Sequence, residues 1–442
     1  MPLQDLNTRE SHPDTFFPDQ AFYDACYGGD FDQVERSLAE GVNVNAVRQD
    51  DYTALMMASD GGHEAIVERL INAGANLNAT CEVGATALFF AARENHTDCV
   101  ELLIKAGANP NAQTKNGATP LYITALKNNA DCMKILIAAK ADLNARPKGG
   151  ATALFIAAQE NNTHCLQILI EAGADLNART EAGATPLFIA AEMGNTDCVK
   201  ALIEAGADVK AQAGDGATPL FMAAQNGNSD CLKRLINAGA DLNTVLSDGA
   251  TPLSIAAENG NSECLKLLIE AGANLDTTLP DGATPLFIAA EMGNTDCVKA
   301  LIEAKADLEA RTQDGATPLP IAAQNGNTDC LKLLINAGAD LEAALPNGAT
   351  PLCIAAAMGN TDCVEALINA GANPNPRTQD GATPLFIAAQ AGNTECLKRL
   401  IRAEADINAA LWDGTTPLAV ATRMGNTDCE KLLINAGARQ GT

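Results

Sequence analysis

Basic residues are scarce in this 442-residue chain. It has 29 Lys and Arg residues against 55 Asp and Glu residues, which gives a formal net charge of −26. No stripe of Lys and Arg stands out along the sequence. Because binding to nucleic-acid phosphates needs clustered cations, this composition argues against a nucleic-acid-binding protein. It favours a protein partner with a basic patch, although a merely solvated acidic surface explains the same charge.

Long apolar runs and targeting signals are also missing. No stretch approaches the roughly 18 uninterrupted apolar residues that a membrane-spanning helix needs, so we expect no membrane span. Residues 1–20 lack a basic start followed by an apolar run, and therefore do not resemble a signal peptide. We expect a cytoplasmic protein, with delivery into a host cell without a cleavable signal peptide as the alternative.

What the sequence has in abundance is a repeated unit. The segments that begin at Asp248, Asp281 and Asp314 all start with Asp-Gly-Ala-Thr-Pro-Leu. An anchor glycine recurs with a period of 33 residues, at Gly84, Gly117, Gly150, Gly183, Gly216, Gly249, Gly282, Gly315, Gly348, Gly381 and Gly414. A fixed period of this size predicts stacked repeats, each of which buries its apolar face against its neighbours.

Each unit predicts two short helices and an arm. In the unit that starts at Asp281, Thr284 suits the N-cap of the first helix and Pro285 suits its first position. Asn294 is placed to cap a second helix, whose apolar residues from Cys297 onward recur at helical spacing. The rest of the unit predicts an extended arm that ends in a tight turn. Aromatic residues make up only 4% of the chain, so we expect a core of Ala, Leu and Ile.

The repeated unit resembles the ankyrin repeat. The match rests on the Thr-Pro-Leu start, an Ala-Ala pair, a Gly-Asn step and an ending such as Leu-Leu-Ile-x-Ala-Gly-Ala-Asp-Leu. The resemblance implies an all-α ankyrin-repeat solenoid of about 13 stacked helix-turn-helix repeats with β-hairpin-like arms. We expect a disordered segment at 1–18 and a single domain at 19–442. Its predicted parts are a cap-like repeat (19–49), a transitional repeat (50–82), regular repeats (83–412) and a C-terminal capping repeat (413–442).

One position departs from the family pattern in every copy. The ankyrin family usually has His after Thr-Pro-Leu, whereas six copies here have Phe, at Phe89, Phe155, Phe188, Phe221, Phe287 and Phe386. We therefore expect aromatic packing in place of the family's histidine hydrogen-bond network.

The 14 cysteines look like a disulfide framework until their spacing is considered. Eleven share one repeat position on the buried face of the second helix: Cys99, Cys132, Cys165, Cys198, Cys231, Cys264, Cys297, Cys330, Cys363, Cys396 and Cys429. Stacked helices lie about 8–10 Å apart, whereas a disulfide needs Cα atoms within about 7 Å. We expect small buried thiols in a reducing compartment, and no metal site.

No catalytic pattern stands out in the sequence. The phosphate-binding pattern GxxxxGK[ST] and the nucleophile pattern GxSxG are both missing. Of the four histidines, His63 and His96 share a repeat position after the first helix, where we expect a helix-capping role. We therefore expect no enzyme, no catalytic residue and no cofactor.

Two sets of positions vary between copies, and such positions decide recognition in repeat proteins. The first set is the arm tip, which in the second half alternates between tips with Leu and tips with Arg-Thr-Gln. Exposed leucines, arginines and the single tryptophan predict an adhesive strip. Its residues are Leu246, Leu279, Arg311, Leu345, Arg377, Leu411 and Trp412. The alternative is that the leucines pack against neighbouring arms.

The second variable set ends the first helix, at positions that face the concave groove in the ankyrin family. It mixes Glu, Gln and Asn with methionine, whose flexible side chain suits an adaptable protein surface. The candidate binding residues here are Met193, Met292, Met358 and Met424. A single methionine at such a position needs no functional reason, but arm tips and groove together form the face that the family uses for binding.

The resemblance implies a non-catalytic protein–protein interaction scaffold that binds its partner through arm tips and groove. One alternative is a pathogen or symbiont effector that occludes or redirects a host protein. Another is a structural spacer, which the near-identity of the repeats favours. We expect a monomer whose partner is another protein, with no nucleic acid and no membrane involved.

Overall fold

The computed structural model describes residues 20–48 and 50–439, and its regular elements are helices. This part of the chain contains 26 α-helices and no β-strand, with an isolated bridge between Val47 and Thr53. The predicted disordered segment, residues 1–18, lies outside the described residues.

The chain divides into two compact units, Met1–Pro186 and Leu187–Thr442. The prediction of one domain over 19–442, with its internal boundaries, stays a prediction. The helices of the first unit are α1 (Gln20–Gly28), α2 (Phe31–Ala39), α3 (Ala54–Gly61), α4 (Glu64–Asn72), α5 (Ala87–Arg93), α6 (Thr97–Ala106), α7 (Pro120–Lys127), α8 (Ala130–Ala138), α9 (Ala153–Gln159) and α10 (Thr163–Glu171).

The remaining helices belong to the second unit, apart from the first residue of α11. They are α11 (Pro186–Met193), α12 (Thr196–Glu204), α13 (Pro219–Gln225), α14 (Ser229–Asn237), α15 (Pro252–Glu258), α16 (Ser262–Glu270), α17 (Pro285–Met292), α18 (Thr295–Glu303), α19 (Pro318–Asn325), α20 (Thr328–Asn336), α21 (Pro351–Met358), α22 (Thr361–Asn369), α23 (Pro384–Ala391), α24 (Thr394–Arg402), α25 (Pro417–Met424) and α26 (Thr427–Asn435).

The helices come in pairs, with odd-numbered first helices and even-numbered second helices. In the first unit, first helices α1 to α9 pack each against the next first helix, and second helices α2 to α10 do the same. In the second unit the same arrangement runs from α13 to α25 and from α12 to α26. This stacking of helix pairs confirms the predicted all-α repeat fold.

A threonine starts the first helix of most repeats, as predicted. Thr284 Oγ1 accepts a hydrogen bond from the N–H of Phe287 (3.3 Å), and Pro285 occupies the first turn, where its missing N–H is not needed. The same cap forms at Thr53, Thr86, Thr119, Thr152, Thr218, Thr251, Thr383 and Thr416. Thr317 is different because the residue three positions later, Pro320, has no N–H to donate.

The asparagines that precede the second helices from α8 to α26 do not cap those helices, so this prediction was wrong. Asn294 lies at the N-cap position of α18 but makes no side-chain cap bond. Its Nδ2 donates instead to the carbonyl oxygens of Ala257 (2.8 Å) and Glu258 (2.8 Å), at the end of the first helix one repeat earlier. Last-turn carbonyls have no partner within their own helix, so they are available acceptors. The same pair of bonds is made by Asn129, Asn162, Asn228, Asn261, Asn327, Asn360, Asn393 and Asn426.

His63 and His96 occupy this asparagine position, and the helix that they cap is the first helix of the preceding repeat. Neither side chain caps its own helix. Nε2 of His63 lies 2.7 Å from the carbonyl oxygen of Tyr27, and Nε2 of His96 lies 3.1 Å from that of Asp60. A nitrogen that faces a carbonyl oxygen must carry the proton, so imidazole here replaces the amide as the donor between repeats.

The cysteines lie inside the stack. All 14 thiols are free and buried, which confirms the burial predicted for the second-helix cysteines. Thr196 Oγ1, at the start of α12, lies 3.4 Å from the Sγ of Cys231 in the following repeat. Burial raises the pKa of Cys132 and Cys264 to about 12. These thiols therefore act as small apolar side chains of the stack.

The phenylalanine after Thr-Pro-Leu is part of the same core. Phe89, Phe155, Phe188, Phe221, Phe287 and Phe386 are each at most 8% exposed. The expected aromatic packing therefore takes the form of rings buried within the stack of short helices.

The arm that ends at Gly282 shows how an arm turn closes and packs on the arm that follows it. The N–H of Leu279 donates to the carbonyl of Ala283 (3.0 Å), and the N–H of Gly282 donates to the carbonyl of Leu279 (2.8 Å). Gly282 has φ +88°, and a Cβ at this position would lie 3.1 Å from the Cα of Thr312 in the following arm. Glycine is therefore required both by the backbone angle and by the close approach of the arms.

Replacing Asn294 with Ala tests the bond between repeats. The change leaves two backbone carbonyls without their donor, so we expect the free energy of unfolding to fall by about 2 kcal/mol. Urea unfolding followed by circular dichroism measures the loss. Asn259→Ala is the matched control, because Asn259 Nδ2 donates within its own helix, to the carbonyl of Ile255 (3.0 Å). An equal loss in both variants would contradict the assignment of Asn294 to the joint between repeats.

The buried thiols predict resistance to labelling. Near pH 8 the folded chain should react only slowly with a maleimide, because thiolate is the reactive form and both burial and the raised pKa disfavour it. In denaturant all 14 cysteines should react. Mass spectrometry of the labelled chain counts the modified residues. Fast labelling of second-helix cysteines in the folded state would show that the stack opens far more easily than this packing implies.

Candidate functional site

The residues predicted to bind a partner lie in two settings, both in the unit Leu187–Thr442. The arm surface consists of Leu246, Leu279, Arg311, Leu345, Arg377, Leu411 and Trp412. The helix-end row consists of the two residues at the end of each first helix: Glu192-Met193, Gln225-Asn226, Glu258-Asn259, Glu291-Met292, Gln324-Asn325, Ala357-Met358, Gln390-Ala391 and Arg423-Met424.

The leucines of the arm surface are half-buried rather than fully exposed. Leu345 packs against a cluster formed by Ala349, Cys353 and Ile354, at and just before the start of α21. Leu246, Leu279 and Leu411 have the same intermediate exposure. This placement supports the alternative interpretation, in which the arm leucines contribute to packing.

The two arginines of the arm surface hold neighbouring arms together. Arg311 Nη1 donates to the carbonyl of Gly315 in its own arm (2.7 Å) and to that of Ala344 in the next arm (3.0 Å). Arg377 Nη1 donates in the same way to the carbonyl of Ala410, in the arm that follows (2.9 Å). Both guanidinium groups are therefore already engaged within the protein.

The alternation of arm sequences has a structural cause that the sequence interpretation missed. The Arg-Thr-Gln arm also bonds backwards: Gln313 Nε2 donates to the carbonyl of Pro280 (2.6 Å), and the N–H of Gln313 donates to the carbonyl of Asp281 (2.7 Å). The next arm has Pro346 at this position, which has no N–H. Its ring instead packs over Gly315, where a Cβ would lie 2.9 Å from the proline Cδ. Arms that donate in both directions thus alternate with arms that accept.

Trp412 takes the place of the proline in the last such arm. Its ring lies over Gly381, and the guanidinium of Arg377 is 4.9 Å from the ring centroid. Its Nε1 donates to the carbonyl of Gln379 (2.7 Å). The side chain nevertheless remains 67% exposed, which leaves one face of the ring open to solvent.

Exposed methionines distinguish the helix-end row. Met193, Met292, Met358 and Met424 each end a first helix, and their side chains are 55–56% exposed. They are therefore large apolar groups that the stack does not use. In other copies this position is Asn226 or Asn325, whose Nδ2 donates to the carbonyl of the preceding repeat's Glu192 (3.1 Å) or Glu291 (2.9 Å).

The same row is acidic in its centre. Glu258 and Glu291 occupy equivalent positions of adjacent repeats, and no ion pair found among the described residues includes either of them. Partial burial raises the pKa of Glu291, and the nearby carboxylates of Asp281 and Glu258 raise it further. From Glu192 to Ala391 the row contains no Lys or Arg.

The first unit has a closed polar network at the equivalent positions. Arg93 pairs with Asp60 (2.6 Å) and with Glu94 (2.6 Å), and its guanidinium lies 5.0 Å from the ring centroid of Phe90. The ring of Tyr52 lies 5.2 Å from that of Phe90, and burial raises the pKa of Tyr52 to about 12. These groups satisfy one another, so the exposed apolar row is a feature of the second unit.

Two further observations concern the chemistry available to the chain. Within residues 20–48 and 50–439, no three His, Cys, Asp or Glu side chains are grouped so that they could share a metal ion. None of the helices in this part of the chain is long and apolar enough to cross a membrane.

Comparison with known proteins identifies the repeat. The solved structure of the human ASB11 ankyrin repeat domain is 28% identical in sequence, and the match covers 50% of this chain and 98% of that one, with a TM-score of 0.46. No match was found among curated proteins. The family model for ankyrin repeats, which describes three copies, matches residues 22–114, 106–180, 179–245, 220–312, 305–378 and 355–442. Because these matches together span most of the sequence, the chain belongs to the ankyrin-repeat family.

Proposed function

We propose that this chain is a non-catalytic scaffold that binds another protein through the helix-end row of the unit Leu187–Thr442. Ankyrin repeats are generally protein–protein interaction scaffolds, and the family is typically non-enzymatic. The observation that carries the choice of surface is the recurrence of methionines, each 55–56% exposed, at one repeat position. These methionines recur at one position of the stack, two or three repeats apart, and a methionine side chain adapts to the shape of its partner.

The arm surface has a secondary role in this proposal. Its leucines are half-buried, and Arg311 and Arg377 are occupied by backbone carbonyls of neighbouring arms. Trp412 is the exposed apolar member of this surface, at 67%, and Val245 is a second exposed apolar arm residue, at 57%. We assign these two residues to the edge of the interface.

The charge of the row favours a partner with a basic patch. The whole chain carries a net charge of −26, and the centre of the row adds Glu258 and Glu291 without a cation beside them. Such a surface attracts a basic partner and speeds its association. Repulsion between these carboxylates reduces the stability of the folded chain, and a binding role explains why an uncompensated acidic position is tolerated.

Affinity capture from a lysate of the source cells tests the choice of surface. A row variant changes Met193, Met292, Met358 and Met424 to Ser, and an arm variant changes Val245 to Ser and Trp412 to Ala. We expect wild type and the arm variant to retain the same partner and the row variant to lose it, because the methionines provide the exposed apolar area.

The matched control for this capture is Ile434→Ser. Ile434 is 52% exposed in the last helix, outside both surfaces, and should leave capture unchanged. If only the arm variant loses the partner, the interface lies on the arms and the choice of the helix-end row is wrong. If no variant of a folded chain captures anything specific, the scaffold proposal fails and the spacer interpretation takes its place.

Replacing Glu291 with Gln tests whether the ionised carboxylate, which is partly buried and faces Asp281 and Glu258, destabilises the folded chain. Because the pKa of Glu291 is raised in the folded state, the folded chain binds this proton more readily than the unfolded chain. Ionisation therefore lowers stability, and Glu291→Gln should raise the unfolding temperature at neutral pH. The gain should shrink as the pH falls through the unfolded pKa of about 4.3 and vanish at about pH 3, where the carboxyl is protonated in both states.

Scanning calorimetry at the two pH values measures this effect. Glu303→Gln is the control, since Glu303 is exposed at the end of α18 and the change removes the same charge from the chain. A lower unfolding temperature for Glu291→Gln at neutral pH would contradict the destabilisation assigned to this partly buried carboxylate and its acidic neighbours.

A further inference from the structure

The backbone of the helix-end row is already hydrogen-bonded, while its side chains are open. The carbonyl of Glu291 accepts Asn327 Nδ2 (2.8 Å) and Asn325 Nδ2 (2.9 Å). The carbonyl of Glu258 accepts Asn294 Nδ2 (2.8 Å). A partner strand that docks by adding main-chain hydrogen bonds needs open backbone groups, and these carbonyls are occupied. Recognition at this edge therefore rests on side chains.

A partner whose own backbone bonds are internally satisfied suits such an edge. An α-helix meets this condition, because its N–H and carbonyl groups pair within the helix and it presents only side chains. Amphipathic helices bind in this way, with apolar side chains against an apolar strip of the receptor. On this row the apolar contacts come from Met292 and Met358, two exposed methionines two repeats apart.

The positions of the charged residues within the repeats indicate which polar side chains a partner should have. Between Glu258 and Met358, three of the four lysines lie on second helices, at Lys266, Lys299 and Lys332, and the fourth, Lys305, follows the end of α18. The first-helix ends beside them carry Glu258 and Glu291 instead. A ligand on this row therefore meets carboxylates and thioethers, to which basic and apolar side chains are complementary.

We propose that the helix-end row from Glu258 to Met358 docks one amphipathic α-helix of a partner protein, whose docking face combines apolar residues with lysine or arginine. This inference rests on the proposed function and names the partner's chemistry. Met292 and Met358 contact the apolar residues, and Glu258 and Glu291 accept hydrogen bonds from the basic side chains. The asparagine bonds between repeats hold the row in register.

A synthetic helix tests the inference directly. The probe is a fluorescent peptide of Leu and Lys, about 18 residues long and thus about five turns, arranged as an amphipathic helix. Fluorescence anisotropy measures its dissociation constant with the full chain at physiological ionic strength. A second peptide has the same composition in an order that spreads Leu around the helix, and a third has prolines that prevent helix formation. We expect each of these to bind about tenfold more weakly.

Variants of the chain separate specific docking from general attraction to an acidic protein. Glu258→Gln with Glu291→Gln, and Met292→Ser with Met358→Ser, should each weaken binding of the helical peptide about tenfold. The matched control is Glu270→Gln with Glu303→Gln, which removes the same charge at the ends of second helices α16 and α18. This control should change the dissociation constant by less than about twofold.

Three results would overturn the inference. Equal losses in the row and control charge variants would show general attraction to an acidic surface. Equal binding of the scrambled peptide would remove the amphipathic requirement, and equal binding of the proline peptide would remove the helix. If the lysate capture still depends on the methionines in any of these cases, the scaffold proposal stands and only the helical basic partner is wrong. If neither the peptide binding nor the lysate capture depends on the row residues, both proposals are wrong.

Discussion

Two hydrogen bonds from one asparagine amide join most repeats to the repeat before them, and the rest of the structure depends on this joint. Asn294 Nδ2 reaches the carbonyls of Ala257 and Glu258, which have no acceptor role within their own helix. The joint fixes the spacing of successive first helices. It also occupies the backbone at the edge where these helices end, so that only side chains such as Met292 remain for a partner.

The arms add a second set of joints on the same repeats. Arg311 donates a hydrogen bond to the carbonyl of Ala344 in the following arm. Gln313 donates one to the carbonyl of Pro280 in the preceding arm. In these arms the polar side chains form hydrogen bonds between neighbouring arms, and leucines such as Leu345 pack against buried residues. The helix-end row, in contrast, keeps its methionines and carboxylates exposed although the carboxylates repel one another. This difference is the physical basis for assigning binding to the row rather than to the arms.

The sequence predicted features whose cause is local. The threonine cap at Thr284 and the helix pairs follow from neighbouring residues, and the burial of the second-helix cysteines follows from helical spacing. The role of Asn294 could not be predicted from its neighbours. An amide at this position can bond either to the N–H groups of its own helix or to carbonyls of the preceding repeat, and the packing of the repeats determines which bond forms. The same holds for Leu345 and Arg311, whose partners depend on how closely successive repeats approach. The division of the candidate residues into those engaged within the protein, such as Arg311, and those left exposed, such as Met292, could not be read from the sequence.

The most direct test of the central claim is a methyl NMR spectrum of the chain with labelled methionines, recorded during titration with the amphipathic Leu and Lys peptide. The exposed methyl groups of Met292 and Met358 should shift or broaden, while those of Met56 and Met133, which are fully buried, should stay in place. That result is predicted if the helix-end row is the binding surface. Unchanged Met292 and Met358 signals, together with a shift of the Trp412 indole signal, would place binding on the arms and contradict the account.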